Sequence, residues 1–81
     1  MSKFPNELSE YLYGTDADTT HGDSSEGIGW AGVYGLTDDE QTTYQEDASW
    51  IVLVERTDGF VDMFRADTLA QAETLASKYD V

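Results

Sequence analysis

Carboxylates are the side chains of this sequence with the greatest capacity for chemistry. The 81 residues include 17 Asp and Glu against four Lys and Arg, which gives a formal net charge of −13 at pH 7. Two acidic groups are prominent, one within residues 14–27 and one within residues 38–47. Closely spaced carboxylates can coordinate calcium, act as a catalytic pair, or complement a basic partner.

The first acidic group does not fit a calcium loop. It consists of Asp16, Asp18, Asp23 and Glu26. An EF-hand loop requires Gly at its sixth position and Glu at its twelfth. Counted from Asp16, those positions hold His21 and Gly27. His21 is the only histidine and cysteine is absent, so a zinc-ligand set is missing as well. We expect no metal and no cofactor.

The sequence also predicts that the protein is not an enzyme. As a general base, His21 would need a nucleophile held beside it, and the neighbouring Thr and Ser residues lie in polar, aperiodic sequence. Paired carboxylates in residues 38–47 could serve glycoside hydrolysis, but so small a domain can hardly enclose a substrate cleft. Gly27, Gly29 and Gly32 match a dinucleotide fingerprint in spacing, but the required strand before them and helix after them are not predicted.

The elements that must position these residues are clearest in residues 49–79. Trp50–Val54 and Phe60–Phe64 are apolar runs that predict the two strands of a β-hairpin. Neither run alternates with polar residues in the way that a half-solvated sheet requires. Both faces of the hairpin are therefore apolar, and each needs a cover.

The turn chemistry selects one register for this hairpin. A two-residue loop would set Glu55 opposite Asp62, and like charges directly opposite are unfavourable. A three-residue loop over 57–59, with its glycine at positive φ, avoids that pairing. We therefore predict that Leu53 lies beside Met63.

Three segments carry helical patterns. An apolar stripe predicts a short helix over residues 5–13. A Thr-Asp-Asp-Glu capping box at 37–40 precedes a segment, 38–44, that fits either a short helix or an acidic loop. A third helix is predicted to begin after Thr68 and to continue to Tyr79.

We predict a single α+β domain over residues 1–81. Its sheet would have three antiparallel strands, with residues 28–36 pairing against Trp50–Val54. The C-terminal helix would cover one face and the short N-terminal helix the other, while residues 14–27 would form a mobile loop. If the N-terminal helix does not dock, a homodimer through the apolar hairpin face would supply the cover.

The distribution of charge favours a partner with a basic surface. Residues 1–48 carry a net charge of −10, and residues 49–81 carry −3. Such acidity excludes non-specific binding to nucleic acid or to an anionic membrane, because both require Lys and Arg. No apolar run approaches the roughly 18 residues of a membrane span, and the N-terminus lacks the features of a secretory signal. We expect a cytoplasmic protein, in the host cytoplasm if it is viral.

The composition resembles that of small acidic phage proteins, some of which block CRISPR or restriction systems by mimicking DNA. This resemblance implies a partner that normally binds nucleic acid. The candidate contact residues are the acids of the N-terminal part together with one tyrosine that could add stacking: Asp16, Asp18, Asp23, Glu26, Asp38, Asp39, Glu40, Tyr44, Glu46 and Asp47.

A second interpretation comes from a different class of function. Asp exceeds Glu by ten to seven, Thr is frequent, and Lys occurs only at positions 3 and 78. These features also fit a structural or housekeeping protein of a halophile or its virus, in which the acids would serve salt adaptation.

Overall fold

A computed structural model describes residues 3–22 and 29–79. The elements follow the chain in the order α1 (Glu7–Tyr13), β1 (Thr19–Gly22), β2 (Trp30–Gly35), α2 (Asp38–Thr43), β3 (Trp50–Glu55), β4 (Val61–Ala66) and α3 (Leu69–Ala76). A single 3₁₀ turn, Ser77–Tyr79, follows α3. The fold class is α+β, as the sequence predicted.

The prediction of a three-stranded sheet was wrong, because the sheet has four strands. They are arranged in the order β1-β2-β3-β4, and each neighbouring pair is antiparallel. The additional strand is β1, which pairs Thr19 with Val33 and Gly22 with Trp30. It lies within the segment predicted to be a loop. As an edge strand with polar side chains, it lacks the apolar alternation that identifies a strand in a sequence. Residues 23–27 of that predicted loop lie outside the described residues.

The register predicted for the hairpin is confirmed. Leu53 pairs with Met63, and Val54 pairs with Asp62. Gly59 has a φ of 93°, which the three-residue loop requires. The predicted pairing of the third strand is also confirmed, since β2 lies antiparallel to β3.

Helix α3 covers one face of the sheet. Thr68 caps it by accepting a hydrogen bond from the Gln71 N–H at 3.1 Å, while the Gln71 side chain accepts from the Asp67 N–H. Ala72 and Ala76 are fully buried against valines of β2 and β3. Their small side chains allow the helix to approach the sheet closely, and a large apolar residue there would be overpacked.

Helix α1 covers the opposite face, as predicted. Leu8 and Leu12 are buried against Tyr34, Ile51 and Leu53. The helix begins at Glu7 and not at residue 5, because Asn6 is its N-cap. Helices of the same chain thus lie on both faces of the hairpin, but Phe64, which pairs with Val52 on the α3 face, is still 42% exposed. A homodimer through the hairpin stays a prediction.

Helix α2 connects β2 to β3. Thr37 and Glu40 form the predicted capping box: the Thr37 hydroxyl accepts from the Glu40 N–H at 3.1 Å, and the Glu40 carboxylate accepts from the Thr37 N–H at 2.9 Å. The alternative of an acidic loop over residues 38–44 is therefore not what the structure shows.

Candidate functional site

Five of the ten candidate contact residues are exposed carboxylates without a cationic partner. None of them forms an ion pair with any described residue, because the ion pairs of Lys3, Arg56 and Arg65 go to other acids. They are Asp16, Asp18, Asp38, Asp39 and Asp47. Asp23 and Glu26 lie outside the described residues.

Local structure fixes where these five acids are placed. The Asp18 N–H donates to the Val33 carbonyl at 2.8 Å, which extends the pairing of β1 with β2 and holds Asp18 at the sheet edge. Asp38 and Asp39 lie in the first turn of α2, where the helix dipole favours negative charge. Asp38 and Asp47 line an open hollow of about 500 Å³ beside α2.

Glu40 contributes to the fold of the α2 region. The hydrogen bond from the Thr37 N–H lowers the pKa of its carboxyl group, and the neighbouring Tyr11 hydroxyl adds to this effect. The Glu40 carboxylate in turn raises the pKa of Tyr11. The Glu40 carboxylate is therefore used within the molecule, where it caps the N-terminus of α2.

Glu46 is a buried structural residue. Its side chain is 7% exposed, and it accepts hydrogen bonds from the Ala48 N–H at 3.0 Å and from Arg65 Nε at 2.8 and 3.0 Å. Burial by itself would raise the pKa of this carboxyl group. The hydrogen bonds from the backbone and from Arg65 outweigh it, so the pKa is lowered. Glu46 is thus not positioned to meet a partner.

Tyr44 also has an internal contact. Its ring is half-buried and stacks on Tyr11, with 5.4 Å between centroids and 29° between the planes. This stack joins the end of α2 to α1. The ring face that lies on Tyr11 cannot also stack on a partner.

A second acidic region lines an open cavity of about 450 Å³, and Asp16 is its only lining residue that was predicted from the sequence as a contact residue. We call it the aromatic–acidic cavity. It lies between the end of α1, the α1–β1 connection and the first three strands. Its aromatic walls are Tyr13, Trp30 and Tyr34, and its carboxylates are Asp16 and Glu55.

Gly32 makes room for two of these rings. Trp30 and Tyr34 flank Gly32 on one face of β2, because side chains two residues apart share a face. A Cβ atom at Gly32 would lie 2.7 Å from the Trp30 ring and 2.9 Å from the Tyr34 ring. The absent side chain therefore allows both rings to close over the strand. The close contact at Gly32 is therefore with side chains of its own strand.

Hydrogen bonds and ring contacts fix the other wall of the cavity. The Tyr13 hydroxyl donates to Glu55 at 2.9 Å, which raises the pKa of Tyr13. Tyr13 also packs edge-on against Trp30, with 6.2 Å between centroids. Burial, with smaller contributions from Tyr13 and Asp16, raises the pKa of Tyr34 to about 12.

The aromatic spacing in β2 was the only sequence signal of this cavity. Trp30 and Tyr34 alternate with smaller residues, a pattern that by itself indicates only a strand. Tyr13 and Glu55 join them only through pairing of distant segments, since the two residues are 42 positions apart in the chain.

His21 takes part in a contact between β1 and α3. His21 Nε2 lies 2.6 Å from one carboxylate oxygen of Glu73, and the Thr19 hydroxyl donates to the other oxygen at 2.6 Å. Glu73 therefore joins the edge strand to the helix. Within the described ranges, no group of three or more His, Cys, Asp or Glu residues is arranged to hold a metal ion.

No helix among the described residues is both long and apolar enough to cross a membrane. Comparisons with protein-family models, with curated proteins and with solved structures gave no match to this chain.

Proposed function

We propose that this protein is a non-enzymatic acidic binding protein whose partner is a basic protein surface. The observation that carries the proposal is the set of exposed carboxylates that form no ion pair with any residue in the described ranges. Asp38, Asp39 and Asp47 lie on or beside α2, and Asp16 and Asp18 lie on the approach to β1. The net charge of −13 adds long-range attraction to any cationic surface.

The proposed class of partner is a nucleic-acid-binding protein. Such proteins present Lys and Arg to phosphates, and a compact carboxylate surface can meet the same side chains. The compositional resemblance to phage proteins that block CRISPR or restriction systems supports this class. A partner of this kind would be met in the cytoplasm.

The structure changes which residues we assign to the contact surface. Glu40 and Glu46 are engaged in the fold, so the surface is assigned to Asp16, Asp18, Asp38, Asp39 and Asp47. Asp23 and Glu26 stay predictions from the sequence.

A retention experiment with host lysate tests the proposal. The immobilised protein is compared with D38N/D39N/D47N and with the matched control D58N/D62N/D67N. Each triple variant changes the net charge by the same amount, but the control acids lie in or beside β4. Glu55 and Glu73 are unsuitable as controls because they bond to other elements, at Tyr13 of α1 and Thr19 of β1. The contacts of Asp58 and Asp62 stay within the hairpin: both acids pair with Arg56, and Asp58 also accepts from the Phe60 N–H.

We expect basic nucleic-acid-binding proteins to be retained, to elute as salt rises, and to be displaced by duplex DNA. Retention should fall several-fold in D38N/D39N/D47N and much less in the control. Equal loss in both variants, or retention that is indifferent to salt, contradicts the proposal. A protein that retains nothing and melts cooperatively only near molar salt would favour salt adaptation instead.

A further inference from the structure

We propose that the aromatic–acidic cavity binds a lysine ammonium group of the partner protein. The inference rests on the proposed function for the identity of the partner, while the chemistry of the cavity can be tested separately. It names the group that the partner would insert and the place where this chain would hold it.

The walls of the cavity suit a cation. The faces of Trp, Tyr and Phe rings carry negative electrostatic potential, and an ammonium group within about 6 Å of a ring centroid is attracted to them. Tyr13 and Trp30, which are both partly exposed, supply such rings, and Asp16 and Glu55 supply full negative charges. The described residues that line the cavity include no Lys or Arg. Its volume of about 450 Å³ lies within the usual range for small-ligand sites.

The chain's own Lys3 shows that an ammonium group is accommodated at the rim. Lys3 Nζ lies 4.5 Å from the centroid of Tyr13 and 3.6 Å from the carboxylate of Glu55. Tyr13 and Glu55 also line the cavity, but Lys3 does not. Lys3 therefore takes up part of the negative charge of Glu55, while Asp16 has no cationic partner among the described residues.

The cavity is held in shape before any ligand arrives. Tyr13 is fixed by its hydrogen bond to Glu55 and by its edge contact with Trp30. Tyr34 is 3% exposed, and its ring position depends on the missing side chain of Gly32. Fewer groups need to be ordered on binding, and this reduces the entropic cost.

Nuclear magnetic resonance titration with a singly charged peptide tests the inference. The probe is acetyl-Gly-Lys-Gly-amide, and acetyl-Gly-norleucine-Gly-amide is its neutral control. We expect saturable shifts of the Trp30 indole signal with the lysine peptide, and much smaller shifts with the control. Trp50 lies on the α3 face, so its indole signal should stay unchanged.

Two substitutions should change the affinity for the lysine peptide in opposite directions, and each has a matched control. D16N removes a carboxylate from the cavity wall, whereas D67N removes an exposed one beyond β4. K3Q removes the ammonium group at the rim, whereas K78Q removes an exposed one after α3. We expect D16N to weaken binding by about threefold or more and K3Q to strengthen it by a similar factor, with smaller effects from D67N and K78Q.

The inference is overturned if the Trp30 indole does not respond, if both peptides act alike, or if D16N and D67N weaken binding equally. The last result would mean diffuse attraction to an acidic surface. Failure of this titration while salt-sensitive retention from lysate persists removes the cavity and leaves the proposed function. Peptide binding without such retention removes the proposed function and leaves an ammonium-binding cavity.

Discussion

Replacing Glu46 with alanine should destabilise the protein strongly, although the residue lies in the most acidic part of the chain. Its carboxylate accepts from the buried Ala48 N–H at 3.0 Å and from Arg65 Nε at 2.8 and 3.0 Å. Alanine at this position removes all these acceptors at once. Net charge alone would predict that the substitution stabilises the protein, because the loss of an acid relieves repulsion in a chain of net charge −13.

The magnitude follows from the two contacts. Leaving a buried N–H without a partner costs about 1–3 kcal/mol. The bond to Arg65 contributes less than a buried ion pair would, because the Arg65 side chain is 57% exposed. Screening by solvent limits such a pair to about 0.2–1 kcal/mol. We expect E46A to lower the free energy of unfolding by about 1–4 kcal/mol in total.

Two further variants separate these contributions. E46Q keeps an oxygen that can accept from Ala48 but loses the charge that holds Arg65, and it should cost about 1 kcal/mol. R65Q removes the cation alone and should cost less than about 1 kcal/mol, since the exposed side chain is screened. The order of destabilisation should be E46A, then E46Q, then R65Q.

Urea unfolding at pH 7, followed by the fluorescence of Trp30 and Trp50, measures these differences. Urea is preferable to guanidinium chloride because the latter is a salt and would screen the charges under study. If E46A lies within about 0.5 kcal/mol of the parent, the buried hydrogen bonds do not stabilise the fold as argued. If E46Q costs as much as E46A, the charge matters and the acceptor for Ala48 does not.

The same variants carry a pH signature. The folded-state pKa of Glu46 lies below its ordinary value of 4.5. Its contribution to stability is therefore fully present above about pH 4.5 and is lost as the pH falls through the folded pKa. The difference between parent and E46Q should be constant from pH 7 to 5 and should shrink below that range. A difference that grows on acidification would contradict the lowered pKa.

Three further predictions concern the core, the charge and the C-terminal turn. L53A should lower the free energy of unfolding by about 3–4 kcal/mol because Leu53 is fully buried, and L75A by only about 1–2 kcal/mol because Leu75 is partly exposed. Urea unfolding measures both values, and equal losses would contradict the difference in burial. The melting temperature should rise by at least about 5 °C between 10 mM and 1 M NaCl, because the Debye length falls from roughly 30 to 3 Å and screens the repulsion between carboxylates. An unchanged melting temperature would show that this repulsion does not destabilise the fold to any large extent. G22A should lower the free energy of unfolding by about 2–4 kcal/mol, because Gly22 has a φ of +74° and a Cβ there would lie 2.6 Å from the Tyr79 carbonyl oxygen. A loss below about 0.5 kcal/mol would mean that the 3₁₀ turn Ser77–Tyr79 moves aside freely.

Local patterns were sufficient for much of the fold. The hairpin register followed from keeping Glu55 away from Asp62, and the structure has that register. The N-caps at Thr37 and Thr68 were identified correctly because a capping side chain bonds to a backbone N–H three residues away. Interactions of this kind are contained in a short stretch of chain, so a sequence displays them.

Strand β1 was missed because its stability comes from its neighbours. Thr19–Gly22 has four residues, polar side chains and no apolar alternation. It becomes a strand through the backbone of β2 on one side and through Glu73 of α3, which bonds Thr19 and lies against His21. None of these partners is adjacent in the chain.

Composition by itself determined the electrostatic character, since the net charge of −13 does not depend on the fold. Tertiary structure alone decided which acids face solvent. Glu46 and Asp47 are neighbours in sequence, yet one is buried beside Arg65 and the other is exposed. The aromatic–acidic cavity likewise required Tyr13 and Glu55 to meet across 42 residues. Burial and such contacts depend on how helices and strands pack, and a linear pattern of residue types records neither.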